Sequence, residues 1–409
     1  MKFWLLDLWL AMRSVLRQGR RTLIAIGAVS FGVIAMILSA GFIEWLMEGM
    51  RESTIKSQLG HVQVVRPGYV ERGTSDPFGF VIDGEDAAQR KVEQGAGVKV
   101  VAPRLSFNGL ASKGDNTLAF LGQGVSAKAE AVLSSSVTIS RGRNLSPDGV
   151  NEMIMGRGLA ANLGVTVGDT VVLMTTTAAG NVNAVEAPVV GIFISVSKEY
   201  DDSALRMPLA LAQQLVRVNG AQQWLVLLDD TDKTDAKLAE LGKVLPAANF
   251  ELVPWYRLSD FYNKTRDLFA SQVNVVQFII LMIIVLSISN TLSMSVMERV
   301  SEIGTCMALG LTRARIRRIF MSEGVMLGLV GGGLGVVIGC ALALAISAVG
   351  IPLPPPPGME QGFDGEIRLT FGIVAKALAI AVVSAFVSSL YPAWRASRMN
   401  IVNALRQSR

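Results

Sequence analysis

Few residues in this 409-residue chain could do chemistry, and their spacing argues against catalysis. The single histidine, His61, leaves no base for a Ser–His or Cys–His nucleophile, and it rules out a multi-histidine metal site. His61-Val-Gln-Val-Val65 alternates, so His61 is expected to be an ordinary surface or strand residue. Two carboxylate pairs, Asp201-Asp202 and Asp229-Asp230, invite a search for paired acids. Neighbours in a strand point to opposite faces, however, and both pairs have turn-like surroundings, so solvated loops are expected. Gly156-Arg-Gly-Leu-Ala-Ala-Asn-Leu-Gly164 has the glycine spacing of a dinucleotide fingerprint, with Ala161 in the third place. No clear strand leads into it and a turn into a strand follows, which argues against a nucleotide site. No Gly-x-x-x-x-Gly-Lys-[Ser/Thr] loop occurs anywhere, so any ATP site must lie on another chain. Cys306 and Cys340 fall in a loop and an apolar run, outside any soluble domain, and make no disulfide framework. The chain is expected to be non-catalytic, with no metal and no cofactor of its own.

What the sequence does organise is a basic segment between two membrane-length apolar runs. Glu298 to Gly324 lies between 270–296 and 325–349 and carries Arg299, Arg313, Arg315, Arg317 and Arg318. Such a concentration marks a short cytoplasmic loop between spans. Ser301, Glu302 and Ile303 open a helical pattern, Gly310 breaks it, and Thr312 can N-cap a second helix bearing the basic cluster. Two short helices around a glycine, held at the membrane surface, suit a docking element.

The pattern Glu-Arg-x-x-Glu-Ile-Gly-x-x-x-Ala-Leu-Gly-x-Thr-Arg-x-x-Ile, starting at Glu298, runs into Glu323-Gly324 and a glycine-rich span. It resembles the FtsX-like permeases of ABC transporters, a family with MacB-type and LolC/LolE-type members. The resemblance covers the whole chain, including the tail, where Pro392-Ala393, Ala396 and Ala404-Leu405-Arg406 match the family pattern. It implies that the loop is a coupling helix seated in a groove of a separate ATPase. The matching positions are Glu298, Glu302, Ile303, Ala308, Leu309, Gly310, Thr312 and Arg313. It further implies a cytoplasmic ATPase dimer that binds ATP and Mg, and a second permease copy, making a homodimer or a pair of paralogues. The expected role is coupling ATP hydrolysis to movement of a periplasmic domain that extracts lipoprotein or lipid from the bacterial inner membrane. A tripartite efflux permease, or a non-transporting signal transmitter to a cell-wall hydrolase, are the alternatives, and a periplasmic partner belongs to both.

Composition and charge give the architecture on their own terms. With 409 residues, more than half of them apolar (51%), one soluble domain would be long, and membrane spans plus one sizeable soluble domain fit better. Residues 51–267 hold 22 Lys/Arg and 24 Asp/Glu, so the net charge of +5 comes from basic clusters beside the apolar runs. That favours phospholipid headgroups over nucleic acid as partner. Residues 1–21 read as an interfacial helix rich in tryptophan and arginine. Residues 22–43 are long enough to cross about 30 Å of hydrocarbon, and longer than the usual core of a signal peptide, the competing reading. Residues 44–269 hold two helical stalks and a domain of alternating strands (from His61, Val98, Thr117, Val171 and Val189) and helices (84–94, 158–163, 208–218, 233–245).

Three further spans follow at 270–296, 324–349 and 370–392, separated by the loop 297–323 and a Pro-rich outer segment 350–369, with a tail at 393–409. Ser287, Asn290, Thr291 and Met294 recur on the second span and face either cargo or a neighbouring helix. Gly328, Gly332, Gly335 and Gly339 on the third let another helix approach closely, within the chain first and in a dimer second. Lys376 can snorkel to the outer interface. The proposed inside segments 1–21, 297–323 and 393–409 hold five, five and four basic residues against one, Arg368, outside. The expected fold is a membrane protein with four transmembrane α-helices and a large α+β extracytoplasmic domain between the first and second spans. Both termini are expected to be cytoplasmic.

Overall fold

Helix α1 (Gly19–Thr54) runs unbroken through the first apolar stretch and past it, since no proline interrupts the sequence. At about 1.5 Å per residue it is longer than a bilayer core is thick. The computed structural model describes residues 19–73, 75–84, 86–133, 137–195, 198–353 and 363–399. The interfacial segment before Gly19, the prolines from Pro354 onward and Ala404-Leu405-Arg406 lie outside them. The chain divides into two units: Met1–Met47, Thr265–Pro352 and Asp364–Arg409 form one, Glu48–Lys264 and Leu353–Phe363 the other.

The second unit is the α+β domain. A π-helical turn, Ile55–Leu59, closes the first stalk, and Gly60 ends it at φ +64°. A side chain there would be strained and would also meet Val226 O at 3.1 Å, so glycine fits this exit into the sheet. The chain continues through β1 (Val62–Val65), α2 (Tyr69–Arg72), α3 (Asp86–Glu93), β2 (Val98–Lys113) and β3 (Asn116–Val125). Next come α4 (Ala127–Leu133), β4 (Thr138–Gly142), β5 (Met153–Gly156), α5 (Arg157–Leu163), β6 (Thr170–Thr176) and β7 (Val182–Ile194). The domain ends with α6 (Lys198–Asp201), β8 (Ala204–Pro208), α7 (Leu209–Val216), β9 (Gln223–Leu228), α8 (Thr234–Val244), β10 (Glu251–Pro254) and α9 (Trp255–Leu258).

The strands pair in the order β10-β1-β9-β2-β3-β8-β5-β7-β4, and β6 joins β2 to β7. That last pairing closes a ring of six strands, β2-β3-β8-β5-β7-β6. Its core includes Leu105, Phe107, Phe120, Met153, Met155 and Leu173, with Leu159 and Leu163 of α5 and Leu211 and Leu215 of α7. β1, β9 and β10 carry a second cluster around Val64, Val226, Trp224 and Phe250.

Three chemically suggestive sites come out differently from expectation. His61 is buried, not on the surface: Leu228 N donates to Nδ1 at 3.0 Å and Thr231 Oγ1 lies 3.0 Å from Nε2. Asp201 is 1% exposed, because both its carboxylate oxygens accept the Ser195 N–H, at 3.0 and 2.9 Å. The glycine-rich segment does follow a strand, β5. A Cβ at Gly156 would strike Asp201 O, and one at Gly158 would strike Asp202 Oδ1. The glycines thus admit the close approach of the Asp201-Asp202 segment to the start of α5. The Asp229-Asp230 pair is a turn as expected, with Asp230 capping through Asp232 N at 3.0 Å.

The first unit holds the remaining helices: α10 (Asp260–Glu298, whose first turn belongs to the domain), α11 (Val300–Ala308), α12 (Arg313–Val349) and α13 (Phe371–Ser397); the short strands β11 (Ile351–Leu353) and β12 (Phe363–Gly365) before α13 are divided between the units at Leu353 and Phe363. Helices α1, α10, α12 and α13 are each long and apolar enough to cross a membrane. Among the described residues these four are the candidate membrane spans, with the α+β extracytoplasmic domain between the first and second. Helix α13 passes through Pro392 instead of stopping there. The hydrogen bond lost at Pro392 is outweighed by packing, because Ala393 and Ala396 in the next turn are fully buried.

Candidate functional site

Helix α10 ends at Glu298, and a single non-helical residue, Arg299, separates it from α11. Helix α11 is amphipathic because Ile303 and Met307 are spaced four apart. Both are buried with Ile316 and Phe320 of α12, Ala393 and Ala396 of α13, and Val296 of α10. Its opposite side, Glu302, Thr305 and Ala308, is exposed. Leu309 follows at 80% exposure. Gly310 then reverses the chain at φ +97°, a conformation that disfavours any side chain even though nothing lies within 4 Å. Thr312 Oγ1 caps the next helix by accepting from Arg315 N at 3.4 Å. The second helix is not short, as the sequence suggested. It is the start of α12 and continues into the third span, since no proline follows Thr312 until Pro352 and the glycines within α12, Gly333 apart, are buried in the helix bundle.

The structure therefore splits the eight matching positions. Glu302, Ala308, Leu309, Gly310, Thr312 and Arg313 form one exposed apex. Ile303 faces inward and seats the helix. Glu298 forms an ion pair with Arg21 of α1, tying the ends of the first and second spans together. Arg317 and Arg318 are exposed beyond the apex, on the first turns of α12.

Along α12 the glycines form two faces. Gly324, Gly328 and Gly332 lie against α13, where added Cβ atoms would meet Ser389 Cβ at 2.5 Å, Ala385 Cβ at 2.5 Å and Leu378 Cδ1 at 2.9 Å. Gly331, Gly335 and Gly339 lie against α1, meeting Val29 Cβ at 2.8 Å, Ser30 O at 2.8 Å and Ile37 Cδ1 at 3.2 Å. Ser30 Oγ also donates to Gly331 O at 2.8 Å. These small residues let three spans of one chain approach closely, the packing role expected first.

Two family models match this chain: the FtsX-like permease C-terminal model over residues 274–401, and the MacB-like periplasmic core domain over residues 22–244. The second alone spans more than half of the 409 residues. The chain belongs to the FtsX-like ABC transporter permeases. Among its relatives is the lipoprotein-releasing system transmembrane protein LolC of Xylella fastidiosa strain Temecula1. That protein is 27% identical over 296 residues, covering 68% of this permease and 69% of the relative. LolC of Neisseria meningitidis serogroup B strain MC58 is 26% identical over 429 residues, covering 98% and 99%. The solved periplasmic region of MacB from Actinobacillus actinomycetemcomitans covers 51% of this permease and 95% of that structure, at 15% identity and TM-score 0.38.

On the second span of the permease, the buried face is Ile280, Ile284, Ile288 and Leu292. Asn290 and Met294 are exposed, and Ser287 and Thr291 are half-buried, joined by a bond from Thr291 Oγ1 to Ser287 O at 2.9 Å. Asn290 and Met294 thus lie off the buried face of their own bundle. Sequence reading passed over two other residues. Arg299 counted only as a topology charge, yet its guanidinium reaches Glu302 Oε2 at 3.0 Å and Glu323 Oε2 at 3.6 Å. The signal was present in the motif, as the Arg of Glu298-Arg299 and the Glu of Glu323-Gly324.

Proposed function

We propose that this permease couples ATP hydrolysis by a separate cytoplasmic ATPase dimer to movement of its extracytoplasmic domain, releasing lipoprotein or another lipid-bearing cargo from the inner membrane. The ATPase would bind ATP and Mg, and a second permease copy, identical or paralogous, would complete the complex. Both termini would be cytoplasmic. The observation that carries the reading is the apex of Ala308, Leu309 and Gly310. A leucine left 80% exposed beside two small residues is an apolar knob suited to a protein groove. Ile303 and Met307 rest on α12 and α13, so a push on α11 passes directly into the third and fourth spans. The LolC relatives, named for lipoprotein release, support the cargo class.

The test is gentle solubilisation of the permease from its native membrane, followed by mass spectrometry of co-purifying protein and lipid and an ATPase assay. An ATPase subunit should co-purify with wild type and be lost with Leu309→Asp, and acylated protein should accompany the wild-type complex. ATP turnover by the permease alone, or retention of the ATPase by Leu309→Asp, would overturn the reading.

A further inference from the structure

Arg299 occupies the break between α10 and α11, and its side chain serves two carboxylates of different standing. Glu302 belongs to the exposed apex side, with a side chain 55% exposed, and its Oε2 lies 3.0 Å from Arg299 Nε. Glu323 belongs to α12, with a side chain 4% exposed, and its Oε2 lies 3.6 Å from Arg299 Nη1. The guanidinium sits over the ring of Phe320, one turn before Glu323, at 5.8 Å from the centroid. A buried carboxylate depends on its cation far more than an exposed one does, because water cannot replace the lost partner. The exposed carboxylate is the one a docking protein can reach.

We propose that Arg299 is a positioning residue that reports occupancy of the apex to α12, its guanidinium being shared between the docking carboxylate Glu302 and the buried carboxylate Glu323. When a donor on the partner takes Glu302, the guanidinium moves from its 3.0 Å contact toward Glu323, a short shift over the Phe320 face. Arg299 is also the backbone joint at the start of α11, so the same shift turns α11 against α12. Glu302 therefore acts in binding, and Glu323 acts in transmission. The inference rests on the docking reading above and adds to it the route by which the docked state enters the third span.

The experiment uses the full chain in lipid nanodiscs, titrated with the ATPase subunit that co-purifies with it, and separates affinity from turnover. Glu302→Gln should raise the Kd for the ATPase subunit at least fivefold. Glu323→Gln, isosteric but uncharged, should leave Kd within twofold and cut the permease-stimulated kcat at least tenfold, while Glu323→Asp recovers at least half of it. Glu323→Gln turnover within twofold of wild type overturns the proposal, and so does a parallel loss of Kd and kcat, which marks Glu323 as merely structural. If wild type binds no ATPase subunit, the docking reading itself fails, and that result is distinct from either.

Discussion

A buried imidazole can set a pH limit on a domain, and His61 is placed to do so. Its Nδ1 accepts from Leu228 N, so Nε2 carries the proton and donates to Thr231 Oγ1, which in turn donates to Glu52 Oε1 at 2.7 Å. Burial, the largest cause, aided by Lys56 and Arg51 and opposed by Glu52 and Asp230, pushes the imidazole from 6.5 down to about 4. The unfolded chain takes up a proton below pH 6.5 that the folded chain refuses until about 4. Folded stability contributed by this site therefore falls as pH drops through that window and levels off below it. His61→Asn should lower the melting temperature at pH 7.5 and flatten its decline between pH 6.5 and 4. Equal declines in variant and wild type, followed by near-UV circular dichroism of the full chain, would remove His61 from the account. The sequence offered no sign of this. Alternation makes His61 an ordinary surface or strand residue, but the partners Leu228 and Thr231 lie some 170 residues away. Asp201 escaped for a different reason: its partner, the Ser195 N–H, is only six residues away, but a local carboxylate–amide bond leaves no mark in the hydrophobic pattern.

At the scale of elements, helix α12 shows what pattern can and cannot say. The glycine spacing of four predicts a close approach, and the approach is there. The spacing could not say that the glycines divide into two faces, because residues offset by three or seven leave the same periodic signature. Contact distance now ranks them. Gly335 has the backbone oxygen Ser30 O and Val33 Cβ both 2.8 Å from an added Cβ, and backbone cannot step aside. Gly333 has nothing within 4 Å. Gly335→Ala should cost about 1–3 kcal/mol by overpacking, while Gly333→Ala should be neutral or slightly favourable through helix propensity. Gly339→Ala should fall between, since its nearest neighbour is the flexible end of Ile37 at 3.2 Å. Thermal unfolding of the full chain in detergent checks the order. A Gly333→Ala melting point as low as that of Gly335→Ala would mean the α1 face is misassigned. The same steric logic bears on the apex: Gly310 is a poor place for a bulky probe because its φ of +97° strains any side chain. Leu309 reports on docking without that confusion.

For the whole molecule, charge and hydropathy carried the architecture, because four long apolar runs with basic clusters only before the first, between the second and third, and after the fourth leave few arrangements in a bilayer. The sequence did not show how the domain's strands close into a ring, since that depends on β6 bridging β2 and β7 across long separations. Nor did it show that the loop's second helix and the third span are one rod, with the apex at its foot. Sidedness is the property of the whole chain that a single assay decides. In a background with Cys306 and Cys340 replaced by serine, a cysteine at Asp115 sits in the exposed turn between β2 and β3, and one at Ala314 in the exposed first turn of α12. With the domain outside and the basic loop inside, a membrane-impermeant thiol reagent applied to intact cells should label Asp115→Cys and leave Ala314→Cys untouched until the membrane is opened. The inside placement of the loop rests on Arg313, Arg315, Arg317 and Arg318, so moving a loop this basic to the outer face would require translocating at least four guanidinium groups. Labelling of Ala314→Cys in sealed cells would put the apex on the side where no ATP-fuelled partner can reach it, and the coupling role of α11 would fall with it.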